Sequence, residues 1–302
     1  MSSMHRNLSN ESPPVRTAVL LAAGMGSRLS PLTDSSPKCL VEVNQVPILE
    51  SLMRSLRTHG FKRLHVVTGH LSEVIEDYLG SHYSNIEITY THSPLYQTTN
   101  NIYSLWLAGK VIDEPFLLVE SDLVFQPQLL TPMLQPDRVA ISKMLPWMNG
   151  TTVTLNRKKQ VKAFCLKTKN RDETPHFKSV NINSFSRETW RLIWARLDQY
   201  ISAGKVNGYY EAVFAELVAE GTISFAPVFF DPAQWYEIDS HEDLSAAEKM
   251  FPGVPALPIE KLKKSLPIRK LASILAPDAH GKKDSTIPSE PRPSSLPLVS
   301  PG

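Results

Sequence analysis

The sequence predicts an α/β protein, a mixed, mostly parallel sheet with flanking helices, followed by a C-terminal tail that does not join the core. Three observations carry this expectation. Short, continuously apolar runs alternate along the chain with segments whose apolar residues recur every three or four positions. Runs that are apolar throughout fit strands buried on both faces, as in a parallel sheet covered by helices. The end of the chain is rich in proline and finishes PSEPRPSSLPLVSPG.

Thr17–Ala22 (TAVLLA) is the first buried strand. Pro47–His59 follows with helical spacing of Ile48, Leu52 and Leu56. Leu64–Gly69 is a second strand ended by glycine, and Ser72 is placed to cap a helix that carries Ile75 and Leu79 one turn apart. Ile86–Tyr90 alternates like a strand, Ile102–Lys110 reads as a helix, and Phe116–Glu120 is a short apolar strand followed by Ser121 and Asp122. In the second half, Thr151–Leu155 and Val161–Leu166 form a predicted hairpin around NRKKQ. Ser186 caps a helix to about Ser202, and Tyr210–Glu220 is another helix. Ser240-His-Glu-Asp243 has capping-box spacing and starts a last helix through Phe251.

The expected organisation is a flexible segment over 1–16, a folded domain over 17–251 and a basic tail over 252–302. The tail holds ten prolines in 51 residues, with eight Lys or Arg against four Asp or Glu. Such a segment buries too little apolar surface to offset its ordering entropy. Within it, Ile259–Ala276 could form a basic amphipathic helix for a membrane or partner, or a spacer interrupted by Pro267. The 302 residues suffice for a large core, and a net charge of +2 speaks against a dedicated nucleic-acid binder. Cys39 and Cys165 cannot build a disulfide framework or a Cys-rich zinc site, and they fit a reducing, cytoplasmic setting. No window is long and apolar enough for a transmembrane segment, and the first sixteen residues carry no apolar signal region. The oligomeric state is not fixed by the sequence, and a homo-oligomer is compatible with it.

The most informative stretch follows the first strand: LLAAGMGSRLSPLTDSSPKCL, residues 20–40. Gly24 and Gly26 allow the backbone to approach a ligand closely, and the amides of such a loop can face phosphate oxygens. Arg28 and Lys38 add two cations able to offset charge on a triphosphate. Leu29 stands where a dinucleotide fingerprint needs its third glycine, and G-x-x-x-x-G-K-[ST] is absent.

G-x-G-x-R followed by P-L-T and then P-K resembles the signature of the sugar-phosphate nucleotidyltransferase superfamily. The resemblance implies a Rossmann-like sheet of the nucleotide-diphospho-sugar transferase type, a nucleoside triphosphate, and Mg²⁺ as cofactor. It also implies attack by an acceptor phosphate on the α-phosphorus with loss of pyrophosphate. By position, Ala22, Ala23, Gly24, Met25, Gly26 and Ser27 would wrap the nucleotide. Arg28 would contact the leaving phosphates, and Lys38 would bridge the α-phosphate and the acceptor.

Phosphoryl transfer needs charge spread from the triphosphate, and Mg²⁺ takes one or two carboxylates plus phosphate oxygens and water. Asp122, at the end of a central strand, and Asp239, in Trp235-Tyr-Glu-Ile-Asp239, are the metal candidates; Asp239 could instead begin a turn or cap the last helix. Glu120 and Glu237 receive no role. None of the nine histidines shows H-x-x-x-H spacing on a predicted helix.

The stretch TTNNIYSLWL, residues 98–107, with Tyr209-Tyr-Glu211 and Trp235–Asp239, resembles the branch containing phosphocholine and 2-aminoethylphosphonate cytidylyltransferases. Asn100 and Asn101 would supply amides to a base edge, one of them alternatively serving as a helix cap. The resemblance implies CTP as donor and a small amine-bearing phosphorylated acceptor. A carboxylate and aromatic faces hold an ammonium well, which nominates Tyr210, Glu211 and Trp235, with Trp147 as a further ring. The alternatives are transfer to a sugar or polyol phosphate, and a nucleotide-binding regulatory protein without turnover.

Overall fold

The structure is a computed structural model that describes residues 13–166 and 176–252. The elements are β1 (Thr17–Ala22), α1 (Ile48–Thr58), β2 (Arg63–Thr68), α2 (Ser72–Leu79), β3 (Ile86–His92), α3 (Asn101–Ala108), β4 (Phe116–Glu120), β5 (Leu123–Phe125) and β6 (Arg138–Lys143). They continue with β7 (Thr152–Leu155), β8 (Val161–Cys165), β9 (Phe177–Phe185), α4 (Arg187–Ser202), α5 (Glu211–Ala219), β10 (Ala226–Phe230), β11 (Trp235–Glu237) and α6 (His241–Met250).

The main sheet runs β8-β7-β9-β4-β1-β2-β3, with β6 also on β9 and β10 on β6. Its centre is parallel: β1 pairs with β2 and β4, and β2 with β3. Beyond β4 it becomes antiparallel through β9 and the β7–β8 hairpin. The chain leaves β1 towards β2 and β3 on one side and returns to β4 on the other. The crevice at the C-terminal ends of β1 and β4 is therefore the topological switch point, where open α/β sheets bind ligands.

The apolar runs alternate between two cores. Leu20 and Ala22 of β1 and Leu117 and Val119 of β4 face a core shared with α1 and α2. Val19, Leu21, Phe116 and Leu118 face the other, shared with α3, α4 and α5. Side chains of successive strand residues point to opposite faces, so a strand covered on both sides must be apolar at every position.

The predicted elements recur with small differences at their ends. Ser72 is the first helical residue rather than the cap, because Leu71 before it adopts a left-handed conformation (φ 50°). Asn101 begins α3 one residue earlier than expected, with Asn100 as its cap. The Ser240–Asp243 capping box is present. At the N-terminal boundary, Val15 is already buried and its amide donates to Leu134 O at 2.8 Å. The tail beyond 252, including the expected helix over 259–276, lies outside the described residues. No helix among the described residues is long and apolar enough to cross a membrane.

Candidate active site

The switch-point crevice opens into a cavity of about 570 Å³, within the usual range of small-molecule sites. Its first wall is the glycine loop. Gly26 has φ +65°, and a Cβ there would lie 3.1 Å from both Lys38 Cβ and Thr33 Cγ2. Thr33 Oγ1 donates to Gly26 O at 2.9 Å, which holds the turn closed over Lys38. Gly24 differs: a Cβ added there meets nothing within 4 Å, because the space beside it is the cavity. Of the predicted nucleotide-binding set, Ala23, Gly24, Gly26, Ser27, Asn100 and Asn101 line the cavity. Ala22 is buried in the strand beneath, and Met25 stands exposed outside the lining.

Lys38 lies at the junction of the charged groups. Its Nζ donates to Asp122 Oδ2 at 2.8 Å and to Asp239 Oδ1 at 2.7 Å, and Arg28 Nη2 reaches the same Asp239 oxygen at 2.8 Å. The two aspartates, 117 positions apart in sequence (239 − 122), converge because β5 and β11 pair antiparallel and the Ile238 amide donates to Asp122 O at 2.9 Å. Burial opposes the charge on Lys38, but Asp122 and Asp239 outweigh it and hold its pKa above the ordinary lysine value. Burial likewise pushes the Asp239 carboxyl up, and Lys38 and Arg28 reverse that and leave it below the ordinary aspartate value.

A second cluster adjoins the first. Glu120 ends β4, and the turn through Ser121 and Asp122 that follows brings the two carboxyl groups into the same space. One oxygen each of Glu120, Asp122 and Glu237 lies within 4.8 Å of the others. Asn101 Nδ2 donates to Glu120 Oε1 at 3.0 Å, while Asn101 Oδ1 accepts from the Tyr210 amide at 3.1 Å. Asn100 Oδ1 accepts from the Asn101 amide, so the capping alternative holds for Asn100 and the Asn101 side chain braces Glu120 against α5. Lys178, with only 3% of its side chain exposed, pairs with Glu237 Oε2 at 2.9 Å. Asn181 sits between Glu120 and Glu237, its Nδ2 at 3.4 and 3.5 Å from them. Burial pushes the Glu120 carboxyl well above the usual range, and the charges of Asp122, Glu211 and Glu237 push it further. Burial also raises Glu211 and Glu237, with Lys178 acting against it in both.

The acceptor residues expected from sequence separate. Glu211 lines the cavity and is 4% exposed. Tyr210 does not line it: its ring is fully buried, 5.1 Å from Phe214 between centroids. The reason is helical phase. Tyr210, Val213, Phe214 and Leu217 recur at i, i+3, i+4 and i+7 and face the core together. Its hydroxyl lies beside Glu120, and burial and the charge of Glu120 push the tyrosine's pKa up. Tyr209 is the tyrosine at the cavity wall. Trp235 is buried in the other core and reaches only a smaller neighbouring pocket, which Trp147 also lines. An aromatic cage built from Tyr210 and Trp235 is therefore not what the geometry gives. Glu120, Glu237, Lys178 and Asn181 are the site residues that the sequence reading left without a role.

Comparison with known proteins agrees with this geometry. Residues 17–145 match the family model described as nucleotidyl transferase. The chain is 30% identical over 255 residues to a CMP-5′-(3-aminopropyl)phosphonate synthase of Streptomyces rubellomurinus, spanning 79% of this chain and 39% of that protein. It is 33% identical over 109 residues to a choline-phosphate cytidylyltransferase of Streptococcus pneumoniae, spanning 36% of this chain and 46% of that one. The chain thus spans less than half the length of these curated relatives. Among solved structures, a CTP:phosphocholine cytidylyltransferase from Streptococcus pneumoniae shares the fold with a TM-score of 0.67 at 23% identity, covering 78% of this chain and all of that one. Residues 17–145 thus carry the sequence of the nucleotidyl transferase family, and the relatives matched include phosphocholine and aminoalkylphosphonate cytidylyltransferases.

Proposed function

We propose that the protein transfers CMP from CTP to a small amine-bearing phosphate or phosphonate, with Mg²⁺, releasing pyrophosphate. The observation that carries this reading is the Lys38 ammonium held between Asp122 and Asp239, under a glycine loop whose Gly24 side is open. In this reading the loop amides from Gly24 to Ser27 face the triphosphate, and Arg28, exposed over most of its side chain, turns to the β- and γ-phosphates. Lys38 neutralises the α-phosphate and the incoming acceptor oxygen together. That oxygen bonds to the α-phosphorus as the bond from phosphorus to the bridging oxygen breaks, and pyrophosphate carries the electron pair away. The acceptor is already an anion, so no general base is needed. Alignment and charge neutralisation account for the catalysis.

The donor set fits Mg²⁺. Asp122 and Asp239 already converge on one cationic nitrogen, Asp122 Oδ1 is buried with no hydrogen-bond partner, and all the groups offered are hard oxygens. Asp122 and Asp239 would hold the ion, which when bound spreads the charge of the triphosphate. CTP as donor and an amine-bearing acceptor are supported by the likeness to a CMP-5′-(3-aminopropyl)phosphonate synthase and a choline-phosphate cytidylyltransferase. The test is pyrophosphate release with Mg²⁺, crossing CTP, UTP, ATP, GTP and dTTP with 2-aminoethylphosphonate, phosphocholine and glucose 1-phosphate. Turnover with CTP and an amine-bearing acceptor is expected. Turnover with glucose 1-phosphate alone would move the activity to the sugar branch, and CTP binding without turnover would favour a regulatory role.

A further inference from the structure

We propose that Glu211, with Glu120 beside it, is the recognition site for a primary ammonium group on the acceptor, and that it selects a primary amine over a quaternary one. The inference rests on the cytidylyl-transfer reading above and names the class of acceptor it takes.

Glu211 opens α5 and is 4% exposed, yet it lines the cavity and its Oε2 has no hydrogen-bond partner. Leaving a buried acceptor atom unpaired is costly, and an N–H donor from a ligand removes that cost. The ionic balance points to the same ligand. Lys178 is paired with Glu237 and Lys38 with Asp122 and Asp239, so among the described residues neither Glu120 nor Glu211 makes a salt bridge, although the Lys178 charge is felt at Glu211. Glu120 receives a neutral amide donor from Asn101 instead. Two carboxyl groups line the cavity without a salt bridge, one with an unpartnered oxygen, and an ammonium supplies both the N–H donors and the positive charge that favours their ionised form.

The chemistry of the walls decides which cation. A quaternary ammonium has no N–H to donate and is held by aromatic faces. Among the described residues the rings lining the cavity are Tyr96 and Tyr209, and Tyr209 is 55% exposed. Of the larger rings nearby, Tyr210 and Trp235 are buried in the two cores, and Trp147, 58% exposed, lines the neighbouring pocket rather than this cavity. A primary ammonium, with three donors, matches carboxylates and needs no cage. Position fits as well. One oxygen of Glu120 lies within 4.8 Å of one of Asp122, which touches Lys38, so an acceptor whose anionic end meets Lys38 and whose carbon chain is short brings its amine to Glu120, in the cavity that Glu211 also lines.

The experiment compares initial rates of pyrophosphate release from CTP with Mg²⁺ for three acceptors: 2-aminoethylphosphonate, its N,N,N-trimethyl derivative and propylphosphonate, the uncharged isostere. The wild-type protein is expected to prefer the primary amine over both others by about tenfold or more in kcat/KM, the scale of one charge-assisted hydrogen bond. In Glu211→Gln the ratio of amine to propylphosphonate is expected to fall about ten- to a hundredfold. Glu211→Asp is expected to recover part of it. A wild-type preference for the trimethyl compound, equal use of all three, or an unchanged ratio in a Glu211→Gln protein that melts like the wild type would overturn the proposal. If the variant does not fold, the wild-type order of acceptors decides alone. Equal use of the three phosphonates would overturn this inference and leave cytidylyl transfer standing, whereas turnover only with glucose 1-phosphate, or none with CTP, would remove both.

Discussion

Gly24 and Gly26 stand two residues apart, and an alanine would act differently at each. At Gly26 the added Cβ meets Lys38 and Thr33 at 3.1 Å and the backbone is left-handed, so Gly26→Ala is expected to lose about 1–2 kcal/mol of stability and to displace Lys38. At Gly24 the methyl enters open cavity. Gly24→Ala is therefore expected to melt like the wild type while binding CTP more weakly. Thermal melting with and without CTP separates the two. Lys38→Ala is expected to lower turnover by about a hundredfold or more while remaining folded, which steady-state rates and a melting curve check together. The glycines, Arg28 and Lys38 were legible because their chemistry is local: one loop carries all four. Glu120 and Glu237 were not assigned, because each is the last residue of its strand and the chain leaves strand geometry before the aspartate two positions on, so strand periodicity does not tell which face they share. Lys178 and Asn181 were not legible either. They enter through β9, where the register against β6 shifts between Ser179 and Asn183, and no local pattern announces that irregularity.

At the scale of elements, α3 is the brace of the site. Its first residue, Asn101, ties Glu120 of β4 to the Tyr210 amide at the start of α5. Asn101→Ala removes both bonds and leaves a buried carboxylate with less donation, so a loss of about 1–3 kcal/mol is expected in chemical denaturation. The far end of α3 packs through Gly109, where an added Cβ would lie 1.7 Å from Trp194 Cδ1. Gly109→Ala is expected to cost about 1–3 kcal/mol or more, because the indole of α4 must move, and the same denaturation series would register it. Apolar spacing made the helices and strands legible, and the Ser186 and Ser240 caps fixed two helix starts. Helical phase explains the error at α5: Tyr209 and Tyr210 read alike as aromatic neighbours of Glu211, but only the register of Val213, Phe214 and Leu217 tells which of them turns into the core.

Among the described residues the charged groups of the site gather where β1 gives way to β4 at the centre of the sheet, the switch point at which loops from both halves of the topology meet. The mostly parallel centre was legible from the alternation of elements. The antiparallel extension through β9 was not, because it depends on long-range pairing. Among the shifted groups, a buried histidine of the core adds a pH signature to global stability. His65 in β2 is buried, its Nδ1 is 2.9 Å from Thr89 Oγ1, and burial pushes its pKa down to about 4 from an ordinary value of 6.5. The unfolded chain therefore binds a proton that the folded protein does not in that window. The contribution of His65 is complete above about pH 6.5 and is lost as pH falls towards 4. Melting curves between pH 7 and 4 are expected to show this fall, and His65→Gln to flatten part of it.

The central claim, attack of an acceptor phosphate or phosphonate on the α-phosphorus of CTP, is tested most directly by following labelled phosphate with Mg²⁺ and 2-aminoethylphosphonate. Label placed at the α-position is predicted to appear in a new product with the acceptor, and label placed at the γ-position in pyrophosphate alone. Label from the γ-position in the acceptor product, or α-label recovered only as CTP or CMP across every acceptor offered, would contradict it.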